Sequence, residues 1–169
     1  MNKKVRTVTL TSLLFAIALV LNFVESSFVI IPQFPGIKMG LSNVAVMFAL
    51  FFIDKKTALE VGVLKSLFVL LTRGVMASVL SLVGGISSIL VMIIITSIFK
   101  NVSLSVVSVF SALTHNLGQF LVVSFVYSPT SLLPYLPVLV ISGLIFGVLN
   151  AILLRAVEGP FFKLWGKER

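Results

Sequence analysis

The sequence predicts an all-α integral membrane protein, a bundle of six transmembrane helices with both termini in the cytoplasm. Hydrophobic residues make up 59% of the 169 residues and charged residues only 11%, a balance that a water-soluble domain of this size does not keep. The apolar runs are long and show no alternation of period two, which indicates helices rather than strands. Most of the charge lies in the short segments between these runs. We expect residues 1–169 to form a single transmembrane domain.

The six helices follow from the lengths of the apolar runs, because a hydrocarbon core of about 30 Å needs about 20 helical residues to cross it. In chain order, we predict helices over Thr7–Val24, Met39–Ile53, Thr57–Thr72, Met76–Phe99, Ser103–Tyr127 and Tyr135–Arg155. The second and third are short for a full crossing. A basic cluster precedes the first helix, as in a signal peptide, but no convincing small-x-small cleavage site follows, so we expect this helix to be retained.

The basic residues give the orientation, because cytoplasmic loops accumulate Lys and Arg. Ten of the thirteen lie on one predicted side of the membrane: Lys3, Lys4, Arg6, Lys55, Lys56, Lys100, Arg155, Lys163, Lys167 and Arg169. Both termini are therefore expected in the cytoplasm. The net charge of +8 is accordingly a topology signal and does not indicate a nucleic-acid partner.

Composition excludes several kinds of chemistry. The chain has no cysteine, one histidine and five carboxylates, which rules out a disulfide framework, an iron–sulfur cluster or a thiol nucleophile and leaves little for a metal site. No G-x-x-x-x-G-K-[ST] motif occurs, so the chain cannot power transport by itself. We expect no cofactor, no metal and no catalytic residue.

Three basic residues remain outside the topology count, namely Lys38, Lys65 and Arg73. Lys38 ends an external loop rich in Pro and Gly, and Arg73 lies at the outer end of the third helix. Lys65 lies near mid-membrane, where an ammonium group costs about 3 kcal/mol or more unless it is paired or hydrated. We interpret one or more of these cations as facing an anionic substrate in an outward-facing cavity. The alternatives are a structural ion pair of Lys65 with Glu25 or Glu60, and interfacial anchoring for the other two.

The fifth helix carries a polar stripe. At 100° per residue, Ser108, Ser111, His115 and Gln119 fall within an arc of about 80°, and Asn116 lies roughly 60° beyond Gln119. The serines are equally well explained as hydrogen-bonding contacts between helices. His115, Asn116 and Gln119 are harder to explain in this way, because three strongly polar side chains within five residues need several buried partners. We therefore predict a ligand site there.

Small residues mark two further faces. Ser81, Gly84 and Gly85 thin the fourth helix, which could admit either a neighbouring backbone or a substrate ring. On the first helix, Ser12 and Ala16 form a small-x-x-x-small face suited to close helix packing. We predict that this second face docks a partner.

Four segments resemble the successive motifs of the bacterial Gx transporter family, whose members are often named heptaprenyl diphosphate synthase component I: Pro35–Asn43, Ser81–Gly85, Thr114–Gln119 and Pro137–Gly143. That family is similar to the substrate-binding S components of energy-coupling factor (ECF) transporters. The resemblance implies six helices, cytoplasmic termini, and a pocket near the outer surface built from the first external loop and later helices. It puts Lys38, Asn43 and the stripe from His115 to Gln119 at or near that pocket. The first helix departs from the pattern, since Ser12-x-x-x-Ala16 replaces the Ala-x-x-x-Ala typical of S components.

The resemblance implies a substrate-binding subunit in the bacterial plasma membrane, energised by a separate ATPase pair and transmembrane coupling subunit. The predicted ligand is a small amphipathic molecule with an anionic or carbonyl-bearing end, such as a vitamin or cofactor precursor. Catalysis by this chain is not expected, because prenyl diphosphate synthases hold magnesium through clustered aspartates and Asp54 is the single aspartate. Two alternatives stay open: a non-catalytic membrane subunit of an isoprenoid, quinone or electron-transfer system, and a structural scaffold.

Overall fold

The computed structural model describes residues 3–27, 40–126 and 133–165, which form six α-helices and one short 3₁₀ turn. The helices are α1 (Lys3–Ser27), α2 (Ser42–Phe52), α3 (Lys55–Arg73), α4 (Val75–Ile98), α5 (Leu104–Val126) and α6 (Leu136–Trp165). The 3₁₀ turn, Leu133–Tyr135, leads directly into α6. The all-helical fold class and one helix for each predicted apolar run are therefore confirmed over these residues.

Four helices are long and apolar enough to cross a membrane, over Val5–Glu25, Val75–Ile98, Leu104–Val126 and Leu133–Phe161. Apolar side chains on the bundle surface agree with a lipid environment, since Phe125 is 91% and Leu71 84% exposed. α2 is apolar but has only 11 residues. α3 has 19 residues and carries several charged side chains. The chain is thus a multi-pass membrane protein, while six full crossings and the orientation of the termini stay predictions.

The short α2 is buried on nearly all sides. It packs against α1, α3, α4 and α6. Every side chain from Ser42 to Ala49 is buried, and Val44 to Ala49 form much of the apolar core. The first turn of α2, with Ser42 and Asn43, consequently lies inside the bundle. This placement puts polar groups where the surrounding helices can reach them.

α5 lies between α4 and α6 at very short distances. A Cβ added at Gly147 would lie 2.6 Å from Val109 Cα, and one at Gly118 would lie 3.2 Å from Gly84 Cα. Ser108 Oγ also donates to the carbonyl of Gly147 at 2.6 Å. Small residues therefore let these backbones approach, as membrane helices commonly do. Ser108 serves as a contact between helices, the alternative considered for the serines.

The sixth helix is longer than the sequence predicts. The expected end at Arg155 is wrong, because α6 continues to Trp165 through Pro160. Proline lacks the N–H that would bond the carbonyl four residues earlier, so it usually ends a helix. Here the next residue, Phe161, packs edge-on against Phe48 of α2 with ring centroids 4.6 Å apart. Tertiary packing thus offsets the local preference for a helix end.

Candidate functional site

A small polar cavity lies between the helices where α1 ends and α2 begins. Its volume is about 10 Å³, and it is lined by Asn22, Glu25, Gly40, Ser42, Lys65, Ser81, His115 and Gln119. Such a volume holds about one water molecule. All of these residues except Gly40 carry polar side chains, which is unusual in a bundle this apolar. In this conformation the polar groups are closed around one another, and a larger ligand requires them to separate.

Lys65 of α3 lines this cavity and is only 3% exposed. Its Nζ donates to Asn43 Oδ1 at 2.7 Å and to Ser42 Oγ at 3.2 Å, both in the first turn of α2. These two hydrogen bonds reduce the cost of burying the ammonium group. Glu60, one of the predicted partners of Lys65, instead contacts Lys56 at 3.6 Å.

Glu25 and Asn150 hold the backbone of Gly40 through its N–H and its carbonyl. Glu25 Oε1 accepts from the Gly40 N–H at 2.6 Å, and Asn150 Nδ2 of α6 donates to the Gly40 carbonyl at 3.2 Å. Gly40 has a φ of +69°, a conformation that glycine adopts without the steric penalty of a side chain. Because Ser42 and Asn43 follow within three residues, this contact fixes the acceptors of Lys65.

His115 and Gln119 lie one turn apart on α5 and are both buried. They pack against Gly84 of α4, where an added Cβ would lie 3.0 Å from His115 Cε1 and 3.0 Å from Gln119 Cγ. The missing side chain of Gly84 therefore makes room for both residues. Within the described part of the chain, Gln119 Oε1 is buried with no hydrogen-bond partner. A ligand donor can satisfy this oxygen, whose burial otherwise costs about 1–3 kcal/mol.

The small residues of α4 have distinct positions. Ser81 lines the cavity and accepts a hydrogen bond at 3.3 Å from Ser66 Oγ of α3. Gly85 is buried but is not part of the cavity wall, and a Cβ added there would meet no atom within 4 Å. Its carbonyl accepts from Ser88 Oγ at 2.8 Å.

The predicted site residues are only partly brought together. Lys65, Ser81, His115 and Gln119 line one cavity, Asn43 bonds Lys65, and Gly84 lies behind the α5 side chains. Their convergence from α2, α3, α4 and α5 could not be read from any single helix.

Asn116 and Arg73 lie elsewhere. Asn116 Nδ2 donates to the Leu139 carbonyl at 2.9 Å and to Ser142 Oγ at 3.3 Å, so it joins α5 to α6. It borders a separate, apolar cavity of about 150 Å³ between those helices. Arg73 is exposed at the end of α3, and its guanidinium donates to the Asn22 carbonyl at 3.3 Å. Lys38 lies outside the described residues.

Sequence reasoning missed three polar contributors to the cavity wall, Asn22, Glu25 and Ser42. Asn22 and Glu25 are three residues apart and share a face of α1, near the end of the apolar run that begins at Leu13. This spacing was the available signal. Glu25 was considered only as an ion-pair partner of Lys65.

Ser12 and Ala16, the predicted docking residues, are both exposed on α1. They lie four residues apart on one face of the helix. Val8, one turn earlier on this face, is 65% exposed. The described structure therefore leaves this face accessible.

Two comparisons with known proteins agree with this fold. A family model described as heptaprenyl diphosphate synthase component I matches residues 14–157. Among solved structures, the S component of a bacterial ECF transporter superposes with a TM-score of 0.76 at 19% sequence identity, covering 98% of this chain and 100% of that one. No curated protein matches the sequence. The S-component-like fold is thus confirmed, and the fold together with the "component I" description points to a non-catalytic subunit.

Proposed function

This chain belongs to the heptaprenyl diphosphate synthase component I family, and we propose that it is the substrate-binding membrane subunit of an uptake system. Its ligand is a small amphipathic molecule with an anionic or carbonyl-bearing end, such as a vitamin or cofactor precursor. One observation carries this proposal. Polar side chains from five helices, with Lys65 and Gln119 among them, converge on one cavity in a bundle that has the S-component fold.

The chemistry of the cavity favours such a ligand. Convergent polar groups fix the orientation of a bound ligand. Lys65 donates to an oxygen of the ligand in exchange for a bond to Ser42 or Asn43. Gln119 accepts from a ligand donor. Arg73 adds positive charge beside the cavity, because its guanidinium donates to the carbonyl of the lining residue Asn22. We propose that Lys38, two residues before Gly40 in the sequence, adds a further positive charge.

Energy for uptake comes from a separate ATPase pair through a transmembrane coupling subunit, since this sequence has no nucleotide-binding motif. The coupling subunit docks on the exposed face of α1 around Ser12 and Ala16. Small residues there permit close backbone approach, which supplies packing energy between helices in lipid. The assembly belongs in the bacterial plasma membrane.

The family's description favours a second candidate function, a non-catalytic membrane subunit of an isoprenoid, quinone or electron-transfer system. The cavity would then hold a prenyl phosphate or quinone head group. Asp54 supplies no catalytic magnesium site, since its carboxylate caps α3 by accepting from Thr57 N at 2.6 Å. Among the residues that the structure describes, no three metal-ligating side chains form a cluster.

Native mass spectrometry of the detergent-purified protein tests the proposal. We expect a small-molecule adduct that is lost in Lys65→Gln, together with co-purification of an ATPase pair. Asn116→Ala is the matched control and should retain the adduct, because its amide bonds α6 outside the cavity. Co-purification with a prenyltransferase or flavoprotein would favour the second function. Equal adduct occupancy in the parent and Lys65→Gln would contradict the proposed site.

A further inference from the structure

Basic side chains surround the turn that joins α4 to α5. These two helices are packed neighbours, so Ser97 near the end of α4 and Ser105 at the start of α5 lie at the same end of the bundle. Lys55 Nζ of α3 donates to Ser97 Oγ at 3.3 Å. From the α6 side, Arg155 Nη2 donates to Ser105 Oγ at 3.2 Å. Lys100 lies in the turn itself and is exposed, so Lys55, Lys100 and Arg155 together form one basic patch.

The cations of the basic patch have no acidic partners among the residues that the structure describes. Lys55 and Arg155 are held by neutral hydroxyl groups. Asp54, the residue before Lys55, uses its carboxylate to cap α3. Glu158 lies three residues beyond Arg155 on α6 and does not pair with it. The patch therefore keeps positive charge available to an anionic group.

The basic patch lies where the surface of the membrane is expected. Two of the helices that are long and apolar enough to cross it, Val75–Ile98 and Leu104–Val126, end and begin on either side of the turn, residues 99–103. A turn leaves backbone groups that the chain does not pair, so a turn between two spans belongs among the lipid headgroups rather than in the hydrocarbon. Lys100 is therefore at the depth of the lipid phosphates.

An exposed apolar strip leads from the patch toward the hydrocarbon. Phe99 is 60%, Ile98 65% and Ile94 52% exposed. Ile94 and Ile98 lie one turn apart on one face of α4, and Phe99 immediately precedes Lys100. Cations beside an apolar strip match the two parts of a phospholipid, its phosphate and its acyl chain. A soluble acidic partner would match the cations and leave the strip unused.

We propose that the basic patch and the apolar strip bind an anionic phospholipid, whose phosphate contacts Lys100 together with Lys55 or Arg155 and whose acyl chain lies along Phe99 and Ile98. Each Lys or Arg at a membrane surface favours an anionic headgroup by a factor of about five. The predicted orientation puts this lipid in the cytoplasmic leaflet. The site is separate from the polar cavity, so the inference holds for either of the proposed functions.

Lipid titration of the full-length protein tests this inference. The protein is delipidated in a neutral detergent and titrated with phosphatidylglycerol, which is anionic, or with phosphatidylcholine of the same acyl chains, which has no net charge. Native mass spectrometry gives the Kd of the first bound lipid. Each variant is first checked for a monodisperse size-exclusion profile.

We expect phosphatidylglycerol to bind about fivefold more tightly than phosphatidylcholine or better, because the second headgroup carries its own cation. Lys100→Gln and Arg155→Gln should each weaken phosphatidylglycerol binding about fivefold and leave phosphatidylcholine binding unchanged. Lys56→Gln is the matched control, since it removes the same charge next to Lys55 from a side chain that pairs with Glu60 at 3.6 Å. This variant should keep the preference of the parent.

Three results would overturn the inference. Equal affinities of the parent for the two lipids would show that the patch does not select an anionic headgroup. A loss in Lys56→Gln as large as the loss in Lys100→Gln would show attraction by net charge without a defined site. Displacement of phosphatidylglycerol by millimolar inorganic phosphate would show that the patch binds free phosphate and not a lipid. If either Lys100→Gln or Arg155→Gln does not fold, the other variant decides the question.

Discussion

At the scale of single residues, Gly84 determines how much room the site has. An added methyl group would lie 3.0 Å from both His115 Cε1 and Gln119 Cγ, in a region with only about 10 Å³ of free volume. We predict that Gly84→Ala weakens binding of the co-purifying ligand at least tenfold, because the two side chains are pushed into the cavity. Gly85→Ala is the control, since its methyl group meets no atom within 4 Å. Titration followed by intrinsic fluorescence compares them, and equal affinities would refute the assignment.

We propose that the polar stripe of α5 divides into a binding part and a packing part. We predict that His115→Ala or Gln119→Ala weakens ligand binding roughly ten- to a hundredfold with little change in Tm, since each loses about 1–3 kcal/mol of ligand contact. Asn116→Ala should lower Tm and leave affinity unchanged, because Asn116 bonds the Leu139 carbonyl and Ser142 on α6. The reverse pattern would make His115 and Gln119 packing residues.

The sequence predicts part of this site because buried polarity is costly. Lys65, His115 and Gln119 stand out in apolar helices, and their cost in lipid identifies them as candidates. The sequence does not show that Asn116 differs from His115 and Gln119. Asn116 follows His115 by one residue, which turns its amide about 100° around the helix axis toward α6. The position of α6 depends on the packing of the whole bundle. Glu25 was missed as part of the cavity for the same reason, because its role depends on where Gly40 returns to α1.

At the scale of elements, Gly40 fixes how α2 enters the bundle. We predict that Gly40→Ala destabilises the fold by about 1–3 kcal/mol through its left-handed backbone and also weakens ligand binding, because it shifts Ser42 and Asn43. Gly74, between α3 and α4, has a φ of +83° and open space around it. Gly74→Ala should therefore cost similar stability without loss of affinity. Thermal melts and ligand titrations are measured for both variants. Equal losses of affinity in Gly40→Ala and Gly74→Ala would show that Gly40 has no specific role in positioning α2 for binding.

The ends of the helices depend partly on tertiary packing, which local sequence patterns do not contain. The order and number of described helices match the apolar runs, since each run is set by local composition. The extension of α6 beyond Arg155 depends on Phe161 meeting Phe48, a contact between residues more than a hundred positions apart. The burial of α2 likewise depends on four other helices. Hydropathy alone reads such a helix as a membrane span.

At the scale of the whole molecule, the distribution of basic residues sets the orientation. We predict that cysteines placed at Lys56 and Lys100 react with a membrane-impermeant thiol reagent only from the cytoplasmic side, because both positions belong to the basic loops. The absence of native cysteine makes the parent chain a clean background. The labelling of each cysteine is compared between intact cells, where the reagent is outside, and inverted vesicles, where it meets the cytoplasmic side. External labelling at either position would contradict cytoplasmic termini.

The exposed face of α1 connects this subunit to its proposed energy source. Ser12 and Ala16 are exposed with small side chains, so a partner helix can approach closely along them. We predict that Ala16→Trp abolishes co-purification with the coupling subunit while Tm and the size-exclusion profile stay unchanged, because the indole holds the partner backbone away. Ile17→Trp is the matched control, since Ile17 is 41% exposed on a different side of the same helix. Survival of the complex in Ala16→Trp would place docking elsewhere, and loss in both variants would show that the wider surface of α1, rather than its small-residue face, makes the contact.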